Sequence, residues 1–148
     1  LKFHVFVLRS NRPNSNLPRT IESFLGFADC IWKVRNSTEI NFLSVRSDWF
    51  GIFYDNEYID DVLKKSLEEF FDRMEGNSKK DPVQSVLLYK RILTPNIAAF
   101  SGTLRIFGRD VWLKPDFIPF CSYTMLSTEV IFRGNIREHG FCFQYSRF

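Results

Sequence analysis

The sequence predicts a single α/β domain built on a mainly parallel sheet flanked by helices, and three observations predict it. Short apolar runs alternate with segments whose apolar residues return at helical spacing, the pattern of strands joined by crossover helices. Two of those runs, residues 3–8 and 49–54, are apolar at nearly every position, as strands covered on both faces are. The third is size: 148 residues, 45% hydrophobic and 17% aromatic, supply one buried core, and neither a repeat nor a domain boundary interrupts them.

The elements follow in order. Phe3 to Leu8 is β-branched and aromatic and stops at Arg9 to Asn14, a run rich in turn formers, so a buried strand feeds a loop. Asn16 then caps a helix with Pro18 in its first turn and Ile21, Phe24, Leu25 and Ala28 on its inner face. Cys30 to Val34 is a second short strand that runs into the polar loop Arg35 to Glu39, completing a β-α-β unit. Ile40 to Val45 is a short third strand, and Trp49 to Tyr54 a fourth that ends at acidic residues. Asp60 caps the next helix, whose inward face is Val62, Leu63, Leu67, Phe70, Phe71 and Met74 and whose wet face carries Lys64, Lys65, Glu68 and Glu69.

Glu75 to Pro82 is an exposed loop, after which Val86 to Leu93 and Thr103 to Phe107 form strands on either side of a connection containing Pro95. The stretch from Pro115 to Pro119 is irregular. Thr128 to Glu138 is expected as a helix closed by Gly140, and Phe141 to Tyr145 alternates as a last strand. These late strands add antiparallel pairs to the sheet.

Composition narrows the function without choosing it. Twenty Lys and Arg against seventeen Asp and Glu leave a net charge of +3, too small and too scattered to declare a nucleic-acid or membrane partner. Cys30, Cys121 and Cys142 form no C-x-x-C pair and no even set, which argues against a disulfide framework or a cysteine zinc site and for a reducing, cytoplasmic compartment. No run approaches the roughly 18 apolar residues of a spanning helix. The opening residues to Leu8 read as a strand, too short for a secretory core. Two isolated histidines make no zinc site: His4 lies in a strand, and His139 is either a ligand to a metal or a cation at the end of the expected last helix. Arg105 and Arg109 flank a strand either as phosphate ligands or as solvated charges, and Ser101 is not flanked as a nucleophile elbow. Seventeen phenylalanines are core material, and no RNA-binding signature accompanies them.

Ligands of open α/β sheets bind beyond the carboxyl ends of the strands. That rule points at three loops, Arg9 to Asn14, Arg35 to Glu39 and Asp55 to Glu57. If the extended chain continues past Tyr54, Asp55 and Glu57 point to one side and offer two hard oxygen ligands for Mg²⁺ or Mn²⁺ carrying a diphosphate.

In order along the chain, these segments resemble the family 2 glycosyltransferases of the GT-A fold. Val5 to Pro13 followed by Leu17 to Leu25 is similar to that family's first strand, Asn-containing loop and helix, and Val34 to Glu39 to its second strand and Asn-x-Ser-Thr-Asp-like loop. Ser47 to Glu57 resembles the strand that ends in the metal-binding Asp-x-Asp motif. Phe100 to Phe107 resembles the small-residue loop and strand that line the sugar site, and Thr128-Glu129, with Gly140-Phe141 closing the segment, the helix that carries the catalytic base. The resemblance implies transfer of a sugar from a nucleotide-diphosphate donor, with inversion, to an acceptor that is a saccharide, a protein or a nucleic acid. Carried over by position, Asn11, Arg12 and Glu39 lie near the nucleotide, Ser101 and Gly102 near the sugar, Asp55 and Glu57 at the metal and diphosphate, and Glu129 is the base.

Three departures accompany the resemblance. In a second alignment Tyr54 and Asn56 replace both metal-binding aspartates. The segment between Glu39 and the acid-ended strand is short, and the paired acids of the base motif are reduced to Glu129. A non-catalytic binding module derived from the same fold, or a nucleic-acid-binding protein, are the alternative readings.

Overall fold

A computed structural model of the chain describes residues 2–9, 15–35, 47–77, 85–93, 100–108 and 129–139. Ten elements are described: β1 Phe3–Leu8, α1 Leu17–Phe24, β2 Cys30–Val34, β3 Trp49–Tyr54, β4 Glu57–Ile59, α2 Asp61–Asn77, β5 Ser85–Leu93, β6 Phe100–Gly108, β7 Glu129–Phe132 and β8 Arg137–His139. Among the described residues no helix is long and apolar enough to cross a membrane.

The α/β class stands, and the eight-stranded sheet is mixed. Its strand order is β2-β1-β3-β6-β5-β7-β4, with β8 paired to β5 off that path. β1 is parallel to β2 on one side and to β3 on the other, as expected of β-α-β crossovers, and β4 is parallel to β7. The remaining pairs, β3 with β6 and β5 with β6, β7 and β8, are antiparallel. Only Asp55 and Asn56 separate β3 from β4, yet β4 closes the far end of the strand path, so the strands from β3 to β4 curl back towards their start. Phe53 of β3 meets Phe132 of β7 across that curl, ring centroids 5.5 Å apart.

Alternation along β1 sends Phe3, Val5 and Val7 into the main core, where they join Phe24 of α1 and Leu63, Leu67, Phe70 and Met74 of α2. The last four recur at three- and four-residue spacing, the stripe the sequence predicts for α2. Phe6, Phe50 and Phe107 are buried as well, in contact with one another, which explains why β1 and β3 are apolar at both parities. His4 is buried among them and its Nδ1 accepts a hydrogen bond from Trp32 Nε1 at 3.3 Å. Gly51 in β3 has no room for a side chain: a Cβ there would lie 2.7 Å from Phe53 Cε2 and 3.3 Å from Phe3 Cζ.

Both predicted caps form. Asn16 Oδ1 accepts from Arg19 N at 3.3 Å, and Asp60 Oδ1 from Leu63 N at 2.7 Å. α1 is shorter than its apolar spacing predicts, because Leu25 turns to an extended backbone at its end and Gly26 follows at φ 76°, and Leu25 consequently faces solvent. Val62, expected on the inward face of α2, is corrected: it lies in the first turn and is exposed.

The helix expected over Thr128 to Glu138 is corrected: from Glu129 onward the chain gives β7 and β8 joined by a turn. Gly134 sits there at φ 78°, which a helix does not use, and Val130-Ile131-Phe132 is a β-branched and aromatic run that pairs with both β5 and β4. β4 was absent from the sequence reading, and β6 begins at Phe100, ahead of the expected Thr103. The strands expected at Ile40 to Val45 and Phe141 to Tyr145, and the irregular stretch from Pro115 to Pro119, lie outside the described residues.

Candidate functional site at the strand ends

The topology gathers one edge of the sheet from distant parts of the chain. β1, β2 and β3 point their carboxyl ends the same way, at Leu8, Val34 and Tyr54. β6 runs antiparallel to β3, so its first residues, including Ser101 and Gly102, lie towards that same edge. β5 brings Leu93 there, and Leu93 is the register partner of Glu129, the first residue of β7. The next residue, Val130, pairs with Glu57. Asp55, Glu57, Ser101, Gly102 and the backbone of Glu129 therefore share one edge. Asn11, Arg12 and Glu39 lie outside the described residues, as does Arg109.

The ladder bonds continue one residue past the parallel strands. Arg9 N donates to Val34 O at 3.0 Å and Asp55 N to Leu8 O at 3.2 Å. Asp55 is buried, and its Oδ2 accepts a hydrogen bond of 2.6 Å from Ser15 Oγ, while its carbonyl accepts from Asn16 N at 2.8 Å. Ser15 and Asn16, just ahead of α1, are thus tied to the end of β3 by side chain and backbone together.

Glu57 is held differently. The chain turns at Asp55 and Asn56, so the extended conformation that would align the two carboxylates is broken. Arg105 Nη1 donates to Glu57 Oε1 at 2.7 Å and Arg105 Nη2 to Oε2 at 2.9 Å, a bidentate fork with both side chains buried. Tyr54 N donates to the same Oε1 at 2.7 Å, and Arg105 Nη1 also reaches Ile52 O at 3.3 Å. The guanidinium lies over the rings of Tyr54 and Phe132, 5.5 and 5.4 Å from their centroids.

These contacts revise the roles read from sequence. Arg105 is neither a solvated charge nor a phosphate ligand but the partner of Glu57. Glu57 does not fit a divalent cation in this arrangement: Oε1 already accepts two hydrogen bonds, Oε2 is buried against a guanidinium, and that positive charge opposes a second cation. Asp55 is buried too, with Oδ2 taken by Ser15 Oγ, but no guanidinium is paired with it in the contacts described above. Among the described residues no group of three or more His, Cys, Asp and Glu is placed to hold a metal ion.

Ser15 was missed at the sequence level, because a serine in a polar loop carries no signal until the fold brings Asp55 beside it. Arg105 did carry one: a lone charge in the apolar run Leu104 to Phe107 announces a buried partner. A separate cleft of about 390 Å³ lies between α2 and the β7–β8 turn, lined by Phe70, Arg73, Ile136 and Glu138, with Arg73 and Glu138 ion-paired. It includes none of the strand-end residues. Comparison with protein-family models, curated proteins and solved structures found no match to this chain.

Proposed function

We propose that this domain is a GT-A-type glycosyltransferase of the family 2 kind, transferring a sugar from a nucleotide-diphosphate donor to an acceptor hydroxyl or amine with inversion. The observation that carries the reading is the shared edge: Asp55, Ser101, Gly102 and Glu129, separated by up to seventy-odd residues, come to the carboxyl-end side of a sheet whose first three strands are parallel. Open α/β sheets bind nucleotides at that position. The ordered motif resemblance supports the reading independently.

In this reading the donor lies along the edge, with its diphosphate beyond β1 and β3 and its sugar towards the start of β6. The acceptor atom attacks the anomeric carbon on the face opposite the diphosphate. As that bond forms, the bond from the anomeric carbon to the phosphate oxygen breaks, its electron pair leaves with the nucleoside diphosphate, and the acceptor's proton passes to the Glu129 carboxylate. Ser15 and Asn16 fix Asp55 and so shape the pocket floor. Mg²⁺ or Mn²⁺, where one is bound, would neutralise charge on the leaving diphosphate, with Asp55 as its protein ligand; no step above depends on it.

A thermal-shift panel of uridine, guanosine and thymidine diphosphate sugars tests the reading. One donor is expected to raise the melting temperature with its concentration. Glu129→Gln is expected to abolish transfer of that sugar while the donor-induced shift persists. A flat response to every donor rejects the glycosyltransferase, and undiminished turnover in Glu129→Gln removes Glu129 from the base role.

A further inference from the structure

Ser66, Glu69, Phe70 and Arg73 recur at three- and four-residue spacing along α2 and so share one face of the helix. They form one wall of the cleft of about 390 Å³, whose other wall is Asn135, Ile136 and Glu138 at the β7–β8 turn. Two contacts cross it. Ser66 Oγ donates to Asn135 Oδ1 at 3.3 Å, and Arg73 is ion-paired with Glu138. Ser66 and Arg73 stand two turns apart, about 10 Å along the helix axis. The crossings therefore bound the cleft at both ends and leave its middle to Glu69, Phe70 and Ile136. A space stopped at both ends suits a short ligand better than an extended peptide, and its volume falls within the roughly 300–1,000 Å³ of small-molecule sites.

The walls select the charge of the occupant. The base is apolar, since Phe70 is buried and Ile136 packs half-buried against the main core. Arg73 is already committed to Glu138, with its guanidinium 5.7 Å from the Phe70 ring centroid. Glu69 is exposed and, among the described residues, has neither an ion pair nor a hydrogen bond from its side chain. Lys65, one turn back along α2, and Arg137, which alternates with Glu138 along β8, are not part of the walls. In a chain of net charge +3, the cleft thus sets two carboxylates against one guanidinium. We infer that it binds an ammonium group carried on a hydrocarbon stem, either a free alkylamine or the end of a lysine side chain, with Glu69 as the ion partner and Phe70 and Ile136 under the stem. The site includes none of the strand-end residues, so it stands or falls independently of the sugar donor. Its affinity falls with ionic strength because Glu69 is exposed.

The test is a titration of the full chain, labelled with nitrogen-15, with n-hexylammonium at low salt, followed by amide chemical shifts. Saturable shifts are expected in residues 66–73 and 135–138. Hexanoate, with a similar stem and the opposite charge, is expected to leave them in place. Glu69→Gln keeps a good helix former on an exposed position and is expected to weaken binding about threefold, the scale of an exposed ion pair. Asn135→Trp fills the cleft from its exposed rim and is expected to abolish binding, whereas Glu22→Gln on α1 makes the same charge change elsewhere and leaves the affinity unaltered. N-acetyl-lysine methylamide is titrated in parallel: tighter binding than hexylammonium names a partner's lysine as the source, weaker binding a free amine, and either sustains the inference. Shifts that do not saturate, an equal response to hexanoate, or binding indifferent to both Glu69→Gln and Asn135→Trp overturns it.

Discussion

Asp55 and Glu57, two positions apart and both buried, belong to different regions of the sheet and do different work. Asp55 ends the parallel region, where its carboxylate takes a serine hydroxyl. Glu57 opens the curled, largely antiparallel region, where a bidentate arginine and a backbone amide enclose it. Burial alone does not distinguish the two carboxylates. The partners differ: Asp55 accepts from a serine hydroxyl, whereas Glu57 is gripped by a guanidinium that cancels its charge.

Breaking the enclosed pair gives the largest expected effect. Arg105→Met strands a buried carboxylate and is expected to cost about 3–5 kcal/mol in urea unfolding, while Glu57→Leu with Arg105→Met together recovers most of that loss. Additive effects of the two single substitutions would show that the pair is not coupled. Gly51→Ala, in the strand that joins the two regions, is expected to cost about 1–3 kcal/mol through its clash with Phe53 and Phe3. A variant as stable as the parent would mean that those rings yield.

Asp55→Asn keeps an acceptor for Ser15 and is expected to lower stability by about 1 kcal/mol or less, yet to change diphosphate or donor affinity. A large stability loss with unaltered ligand affinity would make Asp55 as structural as Glu57 and erase the contrast. Smallest of all is Arg133→Ala. Its ion pair with Asp60 spans 3.7 Å with the arginine half exposed, so the unfolding midpoint is expected to move by less than the equivalent of about 1 kcal/mol.

The parallel region was legible because its signals are local. β1 and β3 are unbroken apolar runs, β2 is short but bounded by polar loops, and Asn16 and Asp60 are side-chain caps that act within three residues. The position of Asp55 followed from the strand-end rule. The curled region was harder to read because its determinants are distant. β4 is three residues long and exists as a strand through β7, more than seventy residues later, and Glu57 finds Arg105 at a separation of 48. In the β7–β8 segment Gly140 suggests a helix cap, but Val130, Ile131 and Phe132 are a β-branched and aromatic run and the left-handed backbone at Gly134 marks the turn.

The fork between Arg105 and Glu57 also bears on how β3 finds its alignment. A strand with one wet face is held in place by polarity, since sliding it one position would bury its polar side chains and expose its apolar ones. β3 is apolar on both faces, with Trp49 and Phe53 on one and Phe50 and Ile52 on the other, so a slip by one residue changes little by that criterion. A slip does, however, pull Glu57 out of a two-toothed grip anchored on β6 and move Gly51 from the spot where only a glycine fits, and together these favour a single setting of the strand. The ion pair works as a pin that sets where Asp55 stops, and with it the outline of the whole edge.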